Sequence, residues 1–115
     1  MKINQIAIAL VSSGFFLTPY VSGANTYPSK PIKIIVPYPA GGAGDILARG
    51  FSDYFSKKTG HAVVVENKVG ANGIIGMNAC KAAAPDGYTF CMPLSDVFTI
   101  NPYIYKKIPY SIDDF

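Results

Sequence analysis

Apolar and β-branched residues gather in three short runs, Ile32–Val36, His61–Glu66 and Tyr88–Met92, and each run ends in a stretch of glycine, proline or small polar residues. The first run is almost continuously apolar, the pattern of a strand covered on both faces in a parallel sheet. Tyr27-Pro28-Ser29-Lys30-Pro31 leads into it, and its prolines exclude a helix. Between the first and second runs the period changes. Leu47, Phe51, Tyr54 and Phe55 fall at i, i+4, i+7 and i+8, with Asp45, Arg49, Ser52, Asp53, Ser56 and Lys57 opposite. That spacing predicts an amphipathic helix over Asp45–Lys58 with the Leu47–Phe55 stripe inward. Asp45 suits its positive start, Lys57 and Lys58 its negative end, and Gly60 the left-handed stop position. Gly50 costs about 1 kcal/mol relative to alanine inside a helix, and it is read as permitting close packing on the sheet. After the second run, a glycine-rich stretch leads to a second helix over Gly76–Ala84, with Ile75, Ala79, Ala82 and Ala83 on or near its buried side. Pro85-Asp86-Gly87 is a turn. The tail from Asn101 to Phe115 carries aromatic residues without clear periodicity.

Strand, loop, helix, strand, loop, helix, strand is the order of a parallel α/β sheet. In such sheets ligands bind in the crevice outside the carboxyl ends of the strands. Three loops lie on that edge: Pro37-Tyr38-Pro39-Ala40-Gly41-Gly42-Ala43-Gly44-Asp45, Asn67 to Gly76, and Pro93-Leu94-Ser95-Asp96.

Composition narrows the organisation. The chain has 115 residues, of which 50% are hydrophobic and 15% charged, enough for at most one domain. Part of that hydrophobicity belongs to residues 1–24, which begin Met1-Lys2, run through Ile6–Val11 and Phe15-Phe16-Leu17, and finish Ser22-Gly23-Ala24. This is the pattern of a cleaved export signal. A membrane anchor is the competing reading, but Ser12, Ser13, Gly14 and Pro19 break the apolar stretch, and a span needs about 20 apolar residues. No cysteine near the cleavage point supports a lipoprotein. Without residues 1–24 the formal charge falls from +3 to +2, nine basic residues against seven acidic. A nearly neutral surface with no basic stripe argues against nucleic acid. With 91 residues and three strands the sheet is thin, and the abrupt stop after Phe115 reads as a truncated frame.

The glycines raise phosphate binding first. A P-loop requires GxxxxGK[ST], and here no glycine precedes Lys-Ser or Lys-Thr. A dinucleotide fingerprint on Gly42-Ala43-Gly44 would require glycine or alanine where Leu47 stands. A catalytic set is not evident. His61 opens a strand on the edge opposite the loops, and Ser95 has no visible base. Asp45 at a helix start reads as a cap. What remains is a set of converging donors: backbone N–H groups of Ala40, Gly41, Gly42, Ala43 and Gly44, those of Gly70, Ala71, Asn72 and Gly73, the Asn67 amide and the Ser95 hydroxyl. Donors without a base or nucleophile suggest binding of an anion, and no cofactor is expected. Cys80 and Cys91 lie in the mature region of an exported chain, so a disulfide is one reading; two buried thiols is the favoured one, because a helix and a strand in adjacent layers lie roughly 10 Å apart and a bridge wants Cα atoms within about 7 Å. Two cysteines and the lone His61 are too few for a metal site.

These residues resemble the periplasmic solute-binding proteins of the tripartite tricarboxylate transporter systems, the Bug family. The matching blocks are Tyr27–Ile32, Ile35–Gly42 with Asp45, Val63–Lys68 with Gly70-Ala71, Gly73, Ile75-Gly76, Ala84–Thr89, Ile100–Pro102 and Tyr105–Tyr110. The resemblance implies a two-lobed, type II periplasmic binding fold, of which residues 25–115 would be part of the first lobe. It also implies an exported, periplasmic, monomeric protein that is not an enzyme. Such a protein captures a small carboxylate and delivers it to the permease subunits in the membrane. The implied contacts lie in the loops from Tyr38 to Asp45 and from Gly70 to Gly76, with Ser95. Gly44 stands where members usually carry threonine or serine, Val69 replaces a usual proline, and Asn72 and Ile74 vary a glycine-rich, polar loop. Two rival readings are a fragment of a nucleotide-binding α/β enzyme and a ligand-sensing partner of a membrane sensor.

Overall fold

The computed structural model describes residues 26–115, so the export-signal reading of residues 1–24 lies outside the described residues. Strand β1 spans Ile32–Val36, helix α1 Ala43–Thr59, β2 Val63–Asn67, α2 Ile74–Lys81 and β3 Thr89–Cys91. Two short helices follow, α3 (Asp96–Thr99) and α4 (Asn101–Ile104), and then a 3₁₀ turn over Ile112–Asp114. Among the described residues no helix is long and apolar enough to cross a membrane.

The strands form one parallel sheet in the order β2-β1-β3. Ile34 pairs with Val65 and Phe90, and Ile35 with Glu66 and Cys91. Side chains alternate between faces along a strand. Ile34 and Val36 meet Ala48 of α1 on one face. Ile35 lies on the other with Cys91, whose sulfur is joined to Cys80 of α2. The two helices therefore flank opposite faces, and β1 in the centre is buried on both, as its apolar run predicts.

Helix α1 packs through a different stripe from the one expected. Gly44, Asp45 and Ala48 are buried, whereas Leu47, Phe51 and Tyr54 are 62%, 45% and 63% exposed. Small side chains bring the helix axis close to β1 and β2. The larger ones are left on the flank, where Phe51 and Phe55 line a hollow of about 370 Å³ with Tyr27, Ile32, Ile34 and Phe90. Gly50 is not a packing glycine: it is exposed, and a Cβ there would meet nothing within 4 Å. The predicted end of α1 is as expected, with Gly60 at φ 73° and its N–H donating to the Ser56 carbonyl at 2.9 Å.

Helix α2 starts two residues before and ends three before the expected Gly76–Ala84, and its buried side is Gly76, Met77 and Cys80, while Ala79 and Ala83 are half-buried and Ile75 and Ala82 exposed. Gly76 is the reason. A Cβ there would lie 2.7 Å from the Cα of Pro37 and 2.8 Å from the Lys68 carbonyl, so only glycine allows the helix to sit this deep. Cys80 is one turn further along the same face. The close seat brings its Cα within 6.0 Å of that of Cys91, and the two sulfurs form a disulfide. The expectation of two separate thiols is thus corrected, because the ordinary layer spacing does not hold beside Gly76.

The tail is more ordered than its composition suggests. Val97 and Tyr110 pack with Met77 into a second buried cluster, and Phe98, Tyr110 and Phe115 stack edge to face.

Candidate functional site

The first loop follows β1 with Pro37 buried and Tyr38 half-buried. It turns at Gly41 (φ 82°), and the Gly42 N–H reaches the Pro39 carbonyl at 3.3 Å. Asp45 does not cap α1 in the expected way, since Gly42 holds the cap position. The carboxylate of Asp45, 2% exposed, reaches back instead and accepts the Gly41 N–H at 2.8 Å, Arg49 Nε at 2.9 Å and the Asn67 amide at 2.9 Å. The Arg49 guanidinium, then the Gly41 N–H and the Asn67 amide, hold this acid well below the usual carboxylate range. It is therefore ionised and neutralised within the protein.

Asn67 has little left to offer a guest from its side chain. Its two amide hydrogens go to Asp45 and, at 3.0 Å, to the Tyr38 carbonyl, while its oxygen accepts from Arg49 at 3.2 Å. The end of β2 is thereby tied to the first loop. At the start of α1, Ile46 is the first residue whose N–H finds a helical carbonyl, that of Gly42 at 3.0 Å. The N–H groups of Ala43, Gly44 and Asp45 make no bond to another described residue. Ala40, Gly41 and Ala43 are exposed, Gly42 is half-buried and Gly44 is buried against Tyr38 and Val36. The unpaired N–H groups and the helix dipole favour negative charge at this end.

The second loop holds four successive residues at positive φ: Gly70 (137°), Ala71 (47°), Asn72 (52°) and Gly73 (84°). Glycine adopts this region freely and asparagine tolerates it, whereas alanine is held there against a cost of roughly 1–2 kcal/mol. Two turn bonds close the loop, Gly73 N–H to the Gly70 carbonyl and Ile74 N–H to the Ala71 carbonyl, both at 3.1 Å. Ala71 and Asn72 are exposed, Gly70 is half-buried and Gly73 is buried, where a Cβ would crowd the Val97 side chain at 3.0 Å. The Asn72 side chain turns toward α4 and donates to Asn101 Oδ1 at 2.6 Å. Asn101, fully buried, donates in return to the Asn72 carbonyl at 2.9 Å and to the Tyr110 hydroxyl at 3.1 Å, and that hydroxyl donates to the Val97 carbonyl at 2.9 Å.

The third loop joins through Tyr38. Its hydroxyl donates to Asp96 Oδ1 and accepts the Leu94 N–H at 3.3 Å. Burial, and then the bond to Asp96, push the phenol well above its ordinary range. Ser95 stands exposed at the head of α3, and its hydroxyl makes no capping bond.

All three loops thus converge, but through partners that differ from those expected. Arg49, Asp96, Asn101 and Tyr110 supply the ties, and sequence reasoning did not single them out. Asn101 could have been noticed as a polar residue before Pro102 in an otherwise apolar stretch. The start of α1 presents backbone N–H groups behind an exposed Ala43, with Gly44 and Asp45 buried beneath it, backed by an internally compensated acid, which suits an anionic guest. No group of three or more His, Cys, Asp or Glu able to hold a metal occurs among the described residues.

The TctC family description, "Tripartite tricarboxylate transporter family receptor", matches residues 47–115, more than half of the chain. A UPF0065 protein of Bordetella pertussis is 41% identical over 112 residues, covering 97% of this chain and 32% of its own. Protein BugT of the same species is 39% identical over 90 residues, 77% of this chain and 28% of its own. The chain therefore spans about a third of the length of these curated relatives. Among solved structures, one described as a periplasmic transporter matches with TM-score 0.69 and 43% identity, over 74% of this chain and 29% of that one. R. palustris Rpa4515 with adipate matches with TM-score 0.71 and 28% identity, over 74% and 28% of the two chains. The periplasmic binding protein BugD matches with TM-score 0.53 and 43% identity, over 56% and 22%. These likenesses agree with the α/β parallel-sheet, periplasmic-binding fold and with a receptor rather than an enzyme family. The chain belongs to the TctC family of tripartite tricarboxylate transporter receptors.

Proposed function

We propose that this chain supplies one wall of a periplasmic solute site that receives a small carboxylate for a tripartite tricarboxylate-type transporter. The observation that carries the reading is the start of α1. Three backbone N–H groups, of Ala43, Gly44 and Asp45, are without partners among the described residues, while the nearby Asp45 charge is compensated by Arg49, Gly41 and Asn67. Hydrogen bonds from uncharged backbone donors suit a carboxylate, and the exposed second loop at Ala71 and Asn72 and the Ser95 hydroxyl lie on the same sheet edge. The adipate bound to a structurally similar protein supports the ligand class. Export by residues 1–24, hand-over to permease subunits and a monomeric state complete the proposal.

Tight capture needs a second wall that closes on the first, so the chain alone should bind weakly. Calorimetry with adipate and a panel of di- and tricarboxylates tests both parts. Dissociation constants in the millimolar range, or no heat at all, are expected for this chain by itself. Sub-micromolar binding would overturn the one-wall reading, and a preference for neutral or cationic solutes would overturn the carboxylate reading.

A further inference from the structure

We propose that the Cys80–Cys91 disulfide is an oxidative clamp on β3, holding the near end of the third loop, Cys91–Leu94, against Tyr38. The inference does not depend on what the site binds. Strand β3 has three residues and lies at the edge of the sheet. Outside its own pairing with β1 it is flanked by two backbone bonds, Lys33 N–H to the Tyr88 carbonyl at 2.8 Å and Met92 N–H to the Ile35 carbonyl at 2.9 Å. Its apolar cover is thin, for Phe90 is 47% exposed. A short edge strand with little burial is the kind of element that opens locally at small cost.

The two ends of the third loop are held differently. At its far end Val97 is buried with Met77 and Tyr110, so α3 has an anchor of its own. Its near end has Cys91, bonded to Cys80 on a helix that Gly76 seats against Pro37. Three residues after Cys91, the Leu94 N–H meets the Tyr38 hydroxyl. Fixing Cys91 therefore limits how far Leu94 can move from Tyr38, since three residues reach at most about 10 Å. Closing the clamp oxidises two thiols, which lose two electrons and two protons to a disulfide-bearing oxidant. That oxidant leaves as a dithiol. Reduction reverses the exchange and leaves β3 without a covalent tie to α2.

Amide exchange on the full chain, oxidised and then reduced with a thiol-free phosphine, tests the clamp. Reduction should accelerate exchange at Phe90, Met92 and Leu94 at least tenfold, and at Ile35, whose N–H faces β3 in the ladder, while Ile34, Val36 and Val97–Phe98 keep their rates. The double variant Cys80→Ala/Cys91→Val keeps apolar side chains without the bond, and it should show the same local acceleration and no response to phosphine. Unchanged exchange at Leu94 in both the reduced chain and the variant would overturn the proposal. So would equal acceleration of every strand or global unfolding in both, because the bond would then stabilise the whole chain and not β3. Two alkylatable thiols after air oxidation of the folded chain would also overturn it.

Discussion

Two glycines in helices have opposite consequences. Gly76 has backbone on its open side, so Gly76→Ala must push α2 away from Pro37 and Lys68. An overpacked contact against backbone costs typically about 1–3 kcal/mol. Gly50 has open space, and Gly50→Ala should raise stability by about 1 kcal/mol through helix propensity alone. Chemical denaturation of the two variants checks both, and a stabilised Gly76→Ala would disprove the close seat of α2. Asp45 supplies a second test. Its native carboxylate is held below the ordinary value by Arg49, Gly41 and Asn67, so the unfolded chain binds its proton more readily. This contribution is complete above the unfolded value of about 4 and disappears as pH falls through the native one. Asp45→Asn should therefore be less stable than the parent at pH 7, with the gap narrowing as the pH is lowered. Melting temperatures between pH 7 and pH 2 read this directly, and parallel curves would exclude it.

Among the elements, the three strands and the two main helices were legible because β-branched runs, glycine loops and the Gly60 stop act locally. The inward face of α1 was not. Periodicity selected Leu47, Phe51 and Tyr54, whereas the sheet selects Gly44, Ala48 and half-buried Ser52, which permit close approach. A hydrophobic stripe shows that a helix has an apolar side, not how near its axis comes to the next layer. Leu47→Lys should accordingly change stability by no more than about 0.5 kcal/mol, whereas Ala48→Leu should cost about 1–3 kcal/mol by overpacking. Urea titrations distinguish the two, and the reverse ranking would restore the aromatic stripe as the core face. The disulfide escaped sequence reasoning for the same reason: the separation of Cys80 and Cys91 follows from the depth at which Gly76 places α2.

Across the whole molecule, the resemblance carried by the Tyr38–Asp45 and Asn67–Gly76 blocks located the edge where the loops gather. It did not reveal how they are tied together. Asp45 with Arg49 and Asn67, Tyr38 with Asp96 and Leu94, and Asn72 with Asn101 are side-chain choices that depend on three segments meeting in space. No local pattern encodes them. The seat of Gly76 on Pro37 also has a mechanical meaning. With backbone packed on backbone there is no compliant layer between the first loop and α2, and α2 is in turn fastened to β3. A force applied at the first loop should therefore reach α2 and β3 with little slack, and the three are expected to shift together as one unit.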